Sequence, residues 1–404
     1  MRFFTAGTLL AAQCLMAQAA SSAFVRTSGT QFTLGGKYFN FGGTNAYWLA
    51  QQSNADIDKS FKDMAALGLK VVRTWAFNEV TAVQNYGAYY TLWSGTTQKF
   101  NTGPHGFDRL DYVLAAAEKV GMKVILSLAN NWDDFGGSGM YIKQLASGSK
   151  HDAFYTNSAI IKAYQKYVTF VVSRYKTNTN VFAWELINEP RCAGVLAASS
   201  SCNTKTLTTW IKNQATFIKS LDSNHLVAIG DEGFLASKTS SSDFLYNGGA
   251  GMDFSTNLAL SSIDFGTFHQ YPVAWGKTPA ASWGNTWITD HAAVMKSLKK
   301  PVVLEEFGVP GEVATKYATY KAWYSTAQSS KLSGIMYWQF GDLLSGGNST
   351  DDGFTIYPGE TTLINLIKAN AKAQTALNLA VTKRDTIDVD APAKHARVQP
   401  NRQH

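Results

Sequence analysis

The stretch "NVFAWELINEPR" (residues 180–191) joins a mostly apolar run to an amide, a carboxylate and a proline. Apolar side chains at successive positions are typical of a strand in a parallel sheet, since helices cover both faces of such a sheet. Pro190 ends the run, because proline lacks the backbone N–H that a sheet ladder needs. The segment therefore predicts a buried strand that ends at Asn188 and Glu189.

Seven other apolar runs of similar length occur along the chain, and segments with helical periodicity separate them. The eight predicted strands are residues 39–45, 70–77, 122–130, 180–189, 225–233, 262–271, 301–308 and 334–341. The predicted helices include residues 58–69, 106–121 and 157–176. Buried strands that alternate with helices predict an α/β protein with a parallel sheet, and eight such units predict a closed (β/α)8 TIM barrel. A doubly wound open sheet is the alternative, but no glycine-rich phosphate loop follows the first strand.

The two ends of the chain differ from this pattern. Arg2, a short apolar run and the small residues Ala17-Gln18-Ala19 predict a signal peptide over residues 1–19. Residues 24–38 predict a short N-terminal β-hairpin, with its turn at Gly35-Gly36, that closes the bottom of the barrel. Residues 381–404 lose the helical pattern and gain charge, so we predict a disordered tail. A single domain, residues 20–380, lies between these ends.

Composition and charge exclude several classes of protein. Hydrophobic residues make up 45% of the chain and charged residues 16%, which excludes a disordered protein and a coiled coil. Of the net charge of +7, Arg2 contributes +1 and the tail +2, and the remaining +4 gives no support for nucleic-acid binding. No segment after the signal peptide has about 18 consecutive apolar residues, so we predict no membrane helix and a secreted, extracellular protein. A monomer is the default expectation.

The cysteines fit an oxidising compartment. Cys14 would be removed with the signal peptide, which leaves Cys192 and Cys202 as an even pair. Their spacing across an irregular segment predicts a disulfide between them. No other cysteine or histidine shows the spacing of zinc ligands, so we predict no metal site.

Polar and aromatic residues stand at the ends of the predicted strands from the second to the eighth. They are Arg73-Thr74-Trp75, Asn130-Asn131-Trp132, Asn188-Glu189, Asp231-Glu232, His269-Gln270-Tyr271, Glu305-Glu306 and Tyr337-Trp338. In a (β/α)8 barrel the C-terminal ends of the strands form the active site. Carboxylates, amides, an imidazole and tryptophans on one rim predict a catalytic cleft for sugars, because an aromatic face can cover the apolar face of a sugar ring.

The fourth and seventh strands supply carboxylates from opposite sides of the predicted barrel. Such side chains can approach to about 5 Å, the separation found in retaining glycoside hydrolases, where one carboxyl group protonates the leaving oxygen and the other attacks the anomeric carbon. Glu189 is the candidate on the fourth strand. On the seventh strand, Glu305 and Glu306 face opposite ways, so register alone does not choose between them. Asn188 could bond the sugar's 2-hydroxyl beside the nucleophile.

Six motifs in this order resemble glycoside hydrolase family 5, and within it the endo-β-1,4-mannanases of fungal and plant type. The motifs are "RTWAF" (73–77), "NNWDDFGG" (130–137), "WELINEPR" (184–191), "FHQYP" (268–272), "LEEFG" (304–308) and "YWQF" (337–340). The resemblance covers about residues 24–375. It implies that Glu189 is the acid/base and Glu306 the nucleophile of a secreted retaining enzyme that needs no cofactor.

The resemblance also implies which residues bind a β-mannan substrate, whether mannan, glucomannan or galactomannan. These residues are Arg73, Trp75, Trp132, Asn188, Arg191, His269, Tyr271 and Trp338. Two other functions stay open at this point: an endo-β-1,4-glucanase of the same family, which would use the same glutamates, and a non-catalytic carbohydrate-binding or elicitor protein.

Overall fold

The computed structural model describes residues 23–378, so the predicted signal peptide and tail lie outside the described residues. Its centre is a sheet of eight parallel strands, one at each predicted position. The strands are β1 Phe41–Asn45, β2 Val71–Trp75, β3 Lys123–Ser127, β4 Val181–Glu185, β5 Leu226–Ala228, β6 Gly266–Gln270, β7 Val302–Phe307 and β8 Gly334–Tyr337. All eight are buried along their whole length, as the apolar runs predicted.

The strands follow the order of a barrel. Hydrogen-bonded neighbours run β5-β4-β3-β2-β1-β8-β7-β6, so the last strand pairs with the first. Between β5 and β6, isolated bonds replace a ladder: the Asp264 N–H donates to the Val227 carbonyl at 2.9 Å, and the His269 N–H donates to the Glu232 carbonyl at 3.3 Å. The prediction of a (β/α)8 barrel is confirmed, with an irregular seam between β5 and β6.

Helices cover the outside of the barrel. In the described part of the chain they are α1 Asn54–Ala66, α2 Phe107–Lys119, α3 Gly137–Leu145, α4 Ala153–Thr156, α5 Ser158–Tyr175, α6 Thr204–Leu221, α7 Phe254–Leu258, α8 Ala280–Leu298, α9 Val313–Ser329 and α10 Thr361–Thr375. Helix α1 begins before its predicted start because the Ser53 side chain caps it by accepting from the Asp56 N–H. Within residues 23–378, no helix combines the length and the apolar character that crossing a bilayer requires.

The N-terminal segment forms three short strands where the sequence predicted two. They are Arg26–Ser28, Gln31–Leu34 and Lys37–Tyr38, with the predicted turn at Gly35-Gly36 and an additional turn at Gly29. Phe32 is fully buried, and its ring lies 5.0 to 6.0 Å from the rings of three barrel phenylalanines, Phe41, Phe182 and Phe265. The segment therefore closes the N-terminal end of the barrel, opposite the strand ends that carry the polar residues.

A small sheet after β2 was not predicted. It consists of Glu79–Val80, Thr91–Ser94 and Thr97–Phe100. Strands of two to four residues are too short to show a clear alternation of polar and apolar side chains. The sheet contacts the loop after β3, since the Glu79 N–H donates to the Phe135 carbonyl at 2.9 Å. This contact joins two segments that are far apart in the sequence, and one of them carries Trp132.

The structure contains the disulfide between Cys192 and Cys202, in the loop after β4. We expect the double variant C192A/C202A to lose about 3 kcal/mol of unfolding free energy, because the bond closes a short loop and restricts the unfolded chain. Chemical denaturation would measure this difference, and the wild type with its disulfide reduced is the matched control. Equal unfolding free energies for the oxidised wild type and the variant would contradict the prediction.

Candidate active site

Strand β4 ends at Glu185, before the predicted end at Glu189, and Glu189 has an unusual backbone conformation. Its φ is +52°, in the left-handed region, which costs a non-glycine residue about 1–3 kcal/mol. Two backbone bonds hold the turn: the Glu189 N–H donates to the Gly230 carbonyl at 2.7 Å, and the Asn188 N–H donates to the Ala129 carbonyl at 2.9 Å. The carboxylate of Glu189 consequently points into a cleft at the C-terminal end of the barrel, with 13% of its side chain exposed.

Two donors hold the carboxylate of Glu189. His269 Nδ1 lies 2.7 Å from Oε1, and the indole N–H of Trp132 donates to Oε2 at 2.7 Å. The sequence analysis assigned Trp132 only to contact with sugar. In the structure Trp132 also lines the cleft, so one side chain both fixes the carboxylate and presents an aromatic surface to the cleft.

Glu306 lies on β7 and faces the same cleft. The Tyr271 hydroxyl donates to Glu306 Oε2 at 2.7 Å, and Arg73 Nη1 donates to Oε1. Its neighbour Glu305 is fully buried, at 3.6 Å from Arg73 Nε and 3.5 Å from His269 Nε2, and does not line the cleft. The structure therefore separates the two adjacent glutamates: Glu306 reaches the cleft, and Glu305 lies against the two buried cations.

The two carboxylates that face the cleft are close together. One oxygen of Glu189 and one of Glu306 lie within 4.8 Å of each other and of a ring nitrogen of His269. This separation fits the spacing of about 5 Å at which the second carboxylate attacks the sugar directly. The same three side chains could offer ligands to a cation, but Arg73 and His269 already balance the charge of the carboxylates, so we propose no metal here.

Arg73 is fully buried beneath the cleft and joins β2 to three other strands, β1, β4 and β7. It pairs with both carboxylate oxygens of Glu185, at 2.7 and 2.8 Å, and with Glu306. It also donates to Asn188 Oδ1 at 2.7 Å and to Asn45 Oδ1 at 3.1 Å. Since Glu306 and Asn188 share this guanidinium, Arg73 sets the positions of two residues that line the cleft.

Glu185 was missed by the sequence analysis, although a signal was present. It lies in the middle of the predicted apolar run 180–189, at the last residue of β4, and is fully buried. A carboxylate in that environment costs several kcal/mol unless a cation pairs with it. The motif "WELINE" therefore already required a buried basic partner, which the structure identifies as Arg73.

Mutual charge effects decide the protonation of the cleft residues. Burial lowers the pKa of His269, but the charge of Glu306, the hydrogen bond to Glu189 and the nearby Glu305 raise it well above its usual value. Burial raises the pKa of Glu189, but the bond and charge of His269, together with Arg191 and Trp132, lower it to about 2. The pKa of Glu306 is raised above its usual value, because burial and the charge of Glu189 outweigh the opposing charges of His269 and Arg73. These directions favour a protonated His269 hydrogen-bonded to an ionised Glu189.

A second ion pair lies further along the cleft. Arg191 donates from Nε and Nη2 to the two carboxylate oxygens of Glu232, both at 2.6 Å. The guanidinium carbon of Arg191 is 5.3 Å from the Trp132 ring centroid, within the range of a cation–π contact. Burial raises the pKa of Glu232 to about 7, Glu189 adds to the shift, and Arg191 opposes it.

Aromatic side chains also line the cleft. Trp338 stacks on Tyr47 with ring centroids 5.6 Å apart and an interplanar angle of 10°, and Trp75 lies 6.2 Å from Trp338. The indole N–H of Trp338 donates to Asp352 at 2.6 Å, which fixes the orientation of the ring. Sequence analysis missed Tyr47, which follows β1, and Asp352, which lies in a loop, because neither stands in a distinctive pattern.

The structure brings most of the predicted site residues into one cleft of about 520 Å³. The predicted residues that line it are Trp75, Trp132, Asn188, Glu189, Arg191, Tyr271, Glu306 and Trp338. Arg73 and His269 are fully buried behind the glutamates and do not line the cleft, so in this geometry they act on Glu306 and Glu189. Two adjacent carboxylates with fixed donors, beside an aromatic wall, can carry out acid–base and nucleophilic chemistry on a sugar ring.

Known proteins are similar to this chain in both sequence and fold. A family model described as GH family 5 beta-mannosidase-like matches residues 22–331. The chain is 46% identical over 344 residues to a probable mannan endo-1,4-beta-mannosidase A of Aspergillus oryzae, covering 84% of this chain and 86% of that protein. It is 44% identical over 342 residues to a mannan endo-1,4-beta-mannosidase A of Aspergillus aculeatus, covering 84% and 87%.

Among solved structures, the chain is similar to an endo-1,4-beta-mannanase of Rhizomucor miehei. The two are 42% identical with a TM-score of 0.81, and the match covers 88% of this chain and all of that one. An endo-1,4-beta-D-mannanase of Thermotoga petrophila is 34% identical with a TM-score of 0.73, covering 83% of this chain and 99% of that one.

Proposed function

This chain belongs to the GH family 5 beta-mannosidase-like family, and we propose on that premise that it is a secreted, monomeric endo-β-1,4-mannanase that retains anomeric configuration. The observation that carries the proposal is the pair of carboxylates, Glu189 and Glu306, with oxygens within 4.8 Å of each other in a cleft with an aromatic wall. Its substrate class is β-1,4-mannan, with mannan, glucomannan and galactomannan as the polymers, and neither a nucleic acid nor a membrane takes part.

In the first step, Glu306 is the nucleophile. One of its oxygens bonds to the anomeric carbon while the bond from that carbon to the glycosidic oxygen breaks, and Glu189 gives its proton to that oxygen. Tyr271 and Arg73 keep the carboxylate of Glu306 oriented toward the cleft, which lowers the entropy cost of reaching the attack geometry. The departing chain leaves as an alcohol, and a glycosyl ester remains on Glu306.

In the second step, Glu189 acts as a base. Its carboxylate takes a proton from water as the water oxygen bonds to the anomeric carbon, and the ester bond to Glu306 breaks. Two inversions at one carbon give net retention. Both glutamates return to their starting charge, so the cycle needs no cofactor.

The proton for the first step comes from His269 in this scheme. Its Nδ1 lies 2.7 Å from Glu189 Oε1, so a shift along one hydrogen bond turns a charged histidine and an ionised glutamate into two neutral groups. A sugar that fills the cleft excludes water and disfavours the charged pair, which moves the proton to Glu189 when it is needed.

The test is product release from linear β-1,4-mannan and from carboxymethylcellulose, with the anomeric configuration of the first products followed by proton NMR. We expect short β-manno-oligosaccharides from mannan, little product from cellulose, and β-anomers before mutarotation. Cleavage of cellulose alone would show that the protein is a glucanase rather than a mannanase. First products in the α-configuration would refute the double displacement. Binding of mannan without product release would refute the proposal that the protein is an enzyme.

A further inference from the structure

The loop that carries Trp132 has a strained turn at its end. We call residues 130–137 the Trp132 loop; its last three residues, Phe135, Gly136 and Gly137, have φ angles of +60°, +98° and +51°. A left-handed phenylalanine costs about 1–3 kcal/mol, so surrounding contacts must hold the turn. A Cβ on Gly137 would lie 1.8 Å from the Trp132 carbonyl, which shows that the end of the loop packs directly on the backbone of Trp132.

Glu79 packs beneath this turn from the small sheet after β2. Its N–H donates to the Phe135 carbonyl at 2.9 Å. A Cβ on Gly136 would lie 2.6 Å from Glu79 Cβ and 2.8 Å from Glu79 Oε2, so the glycine and the side chain of Glu79 are in close contact. Glu79 thus touches the turn with both its backbone and its carboxyl group.

The carboxyl group of Glu79 has surroundings unlike those of the cleft glutamates. Glu79 is 3% exposed, and neither of its oxygens has a partner in hydrogen-bonding geometry. In the described residues no cation pairs with it, whereas Glu185 and Glu306 have Arg73. An unpaired buried carboxylate is costly, so the site suits a neutral carboxylic acid.

We propose that Glu79 is a positioning residue for the reaction: as a neutral acid it holds the turn of the Trp132 loop, and through Trp132 it keeps Glu189 in place. The chain of contacts runs from Glu79 to Gly136 and Gly137, from Gly137 to the Trp132 carbonyl, and from the Trp132 indole to Glu189 Oε2 at 2.7 Å. The inference rests on the proposed role of Glu189.

The titration of Glu79 supports this assignment. Burial raises its pKa to about 8, and the Tyr141 hydroxyl and the Gly137 N–H, which lie nearby but outside hydrogen-bonding geometry, oppose the shift. The titratable groups that face it are Tyr141 of α3 and Tyr167 of α5, and Asp133 and Lys143 line the pocket next to it. Above about pH 8 the group ionises beside the turn, where its charge would be unpaired, and the loop is destabilised.

The same shift makes stability depend on pH. The folded pKa of Glu79 lies above that of the unfolded chain, so its contribution to stability is full below about pH 4.5 and is lost as the pH rises through about 8. The variant E79Q keeps the shape and stays neutral. The stability of E79Q relative to the wild type should therefore increase with pH across this window, and this readout does not depend on activity.

The test compares kcat and KM of wild type, E79Q and E79A on mannan from pH 5 to pH 9.5. We expect E79A to lose about 10- to 100-fold in kcat/KM, since a displacement of about 1 Å can cost 10²-fold. E79Q should stay near the wild type at pH 6 and retain activity at pH 9 that the wild type loses. A ratio of E79Q to wild type that is constant with pH would overturn the proposal.

A double-variant cycle tests whether Glu79 acts through Trp132. If it does, E79A should add little to the loss in kcat already caused by Trp132→Phe, and hydrogen exchange in residues 130–137 should rise in E79A but not in E79Q. Fully additive losses, or unchanged exchange in this loop, would refute the inference even if the enzyme cleaves mannan. A wild type inactive on mannan would refute the proposed function, while the pH-dependent stability of E79Q would still report on Glu79.

Discussion

Replacing Glu306 by glutamine should lower kcat on mannan by about 10⁵-fold, which is the order of loss when a covalent nucleophile is removed. Glutamine keeps the size of the side chain but cannot form the glycosyl ester. It can still accept from the Tyr271 hydroxyl, so the fold of the cleft should persist. Steady-state kinetics with a sensitive reducing-sugar assay would measure the loss, and circular dichroism would check the fold.

Glu305→Gln is the matched control, since Glu305 is the neighbouring residue on β7 and does not line the cleft. The Glu305→Gln variant should lower activity much less than Glu306→Gln, because it changes only the charge around Arg73 and His269. Trapping with a 2-deoxy-2-fluoro mannoside and mapping the labelled peptide would identify the nucleophile directly. A label on Glu305, or E306Q with near-normal turnover, would contradict the assignment of Glu306.

Replacing Glu189 by glutamine should lower kcat on mannan by about 10²–10⁴-fold, the contribution expected of a general acid. The loss should be much smaller for the first step with aryl mannosides that carry a dinitrophenolate leaving group, because that group departs without a proton. With such substrates the glycosyl ester should accumulate, since no base remains to activate water. Burst kinetics followed by mass spectrometry would detect it.

Trp132→Phe is a useful control for Glu189, because it removes a donor to Oε2 but leaves the carboxyl group. Its loss in kcat should be smaller than that of E189Q and should affect mannan and aryl substrates more evenly. Azide should restore turnover of aryl substrates by E189A, since a small anion can fill the space of the missing carboxylate. It would bond to the anomeric carbon as the bond from that carbon to Glu306 breaks, which gives a glycosyl azide and the free carboxylate. Equal losses of E189Q in the rate of the first step on both kinds of substrate would argue against the acid/base role.

The location of the site was predictable from local patterns. Buried strands give apolar runs that helical segments separate, and each strand ends where polar residues begin, so both the barrel and its C-terminal rim can be read along the chain. Glu189 is an example, since Pro190 marks the end of the predicted strand and thereby indicated that the carboxylate lies at the rim. The three-stranded N-terminal segment was predicted only in part, because a strand of three residues such as Arg26–Ser28 has too little periodicity.

The partners of these residues were less predictable. The choice between Glu305 and Glu306 depends on the register of β6 and β7, which shifts between Phe268 and His269. The pairing of Arg73 with Glu185 joins residues 112 positions apart. No pattern within either segment specifies such a partner, since it depends on which strands the barrel makes neighbours.

For this protein, the sequence by itself determined the barrel, the rim that carries the chemistry and the family to which the chain belongs, because apolar periodicity, strand ends and motifs are properties of short segments. The family resemblance had already indicated Glu306, and the structure shows that Glu306 lines the cleft while Glu305 does not. Only the tertiary structure decided that Trp132 binds Glu189 and that Glu79 lies under the loop of Trp132. These contacts depend on strand register and loop packing, which bring distant segments within hydrogen-bonding distance.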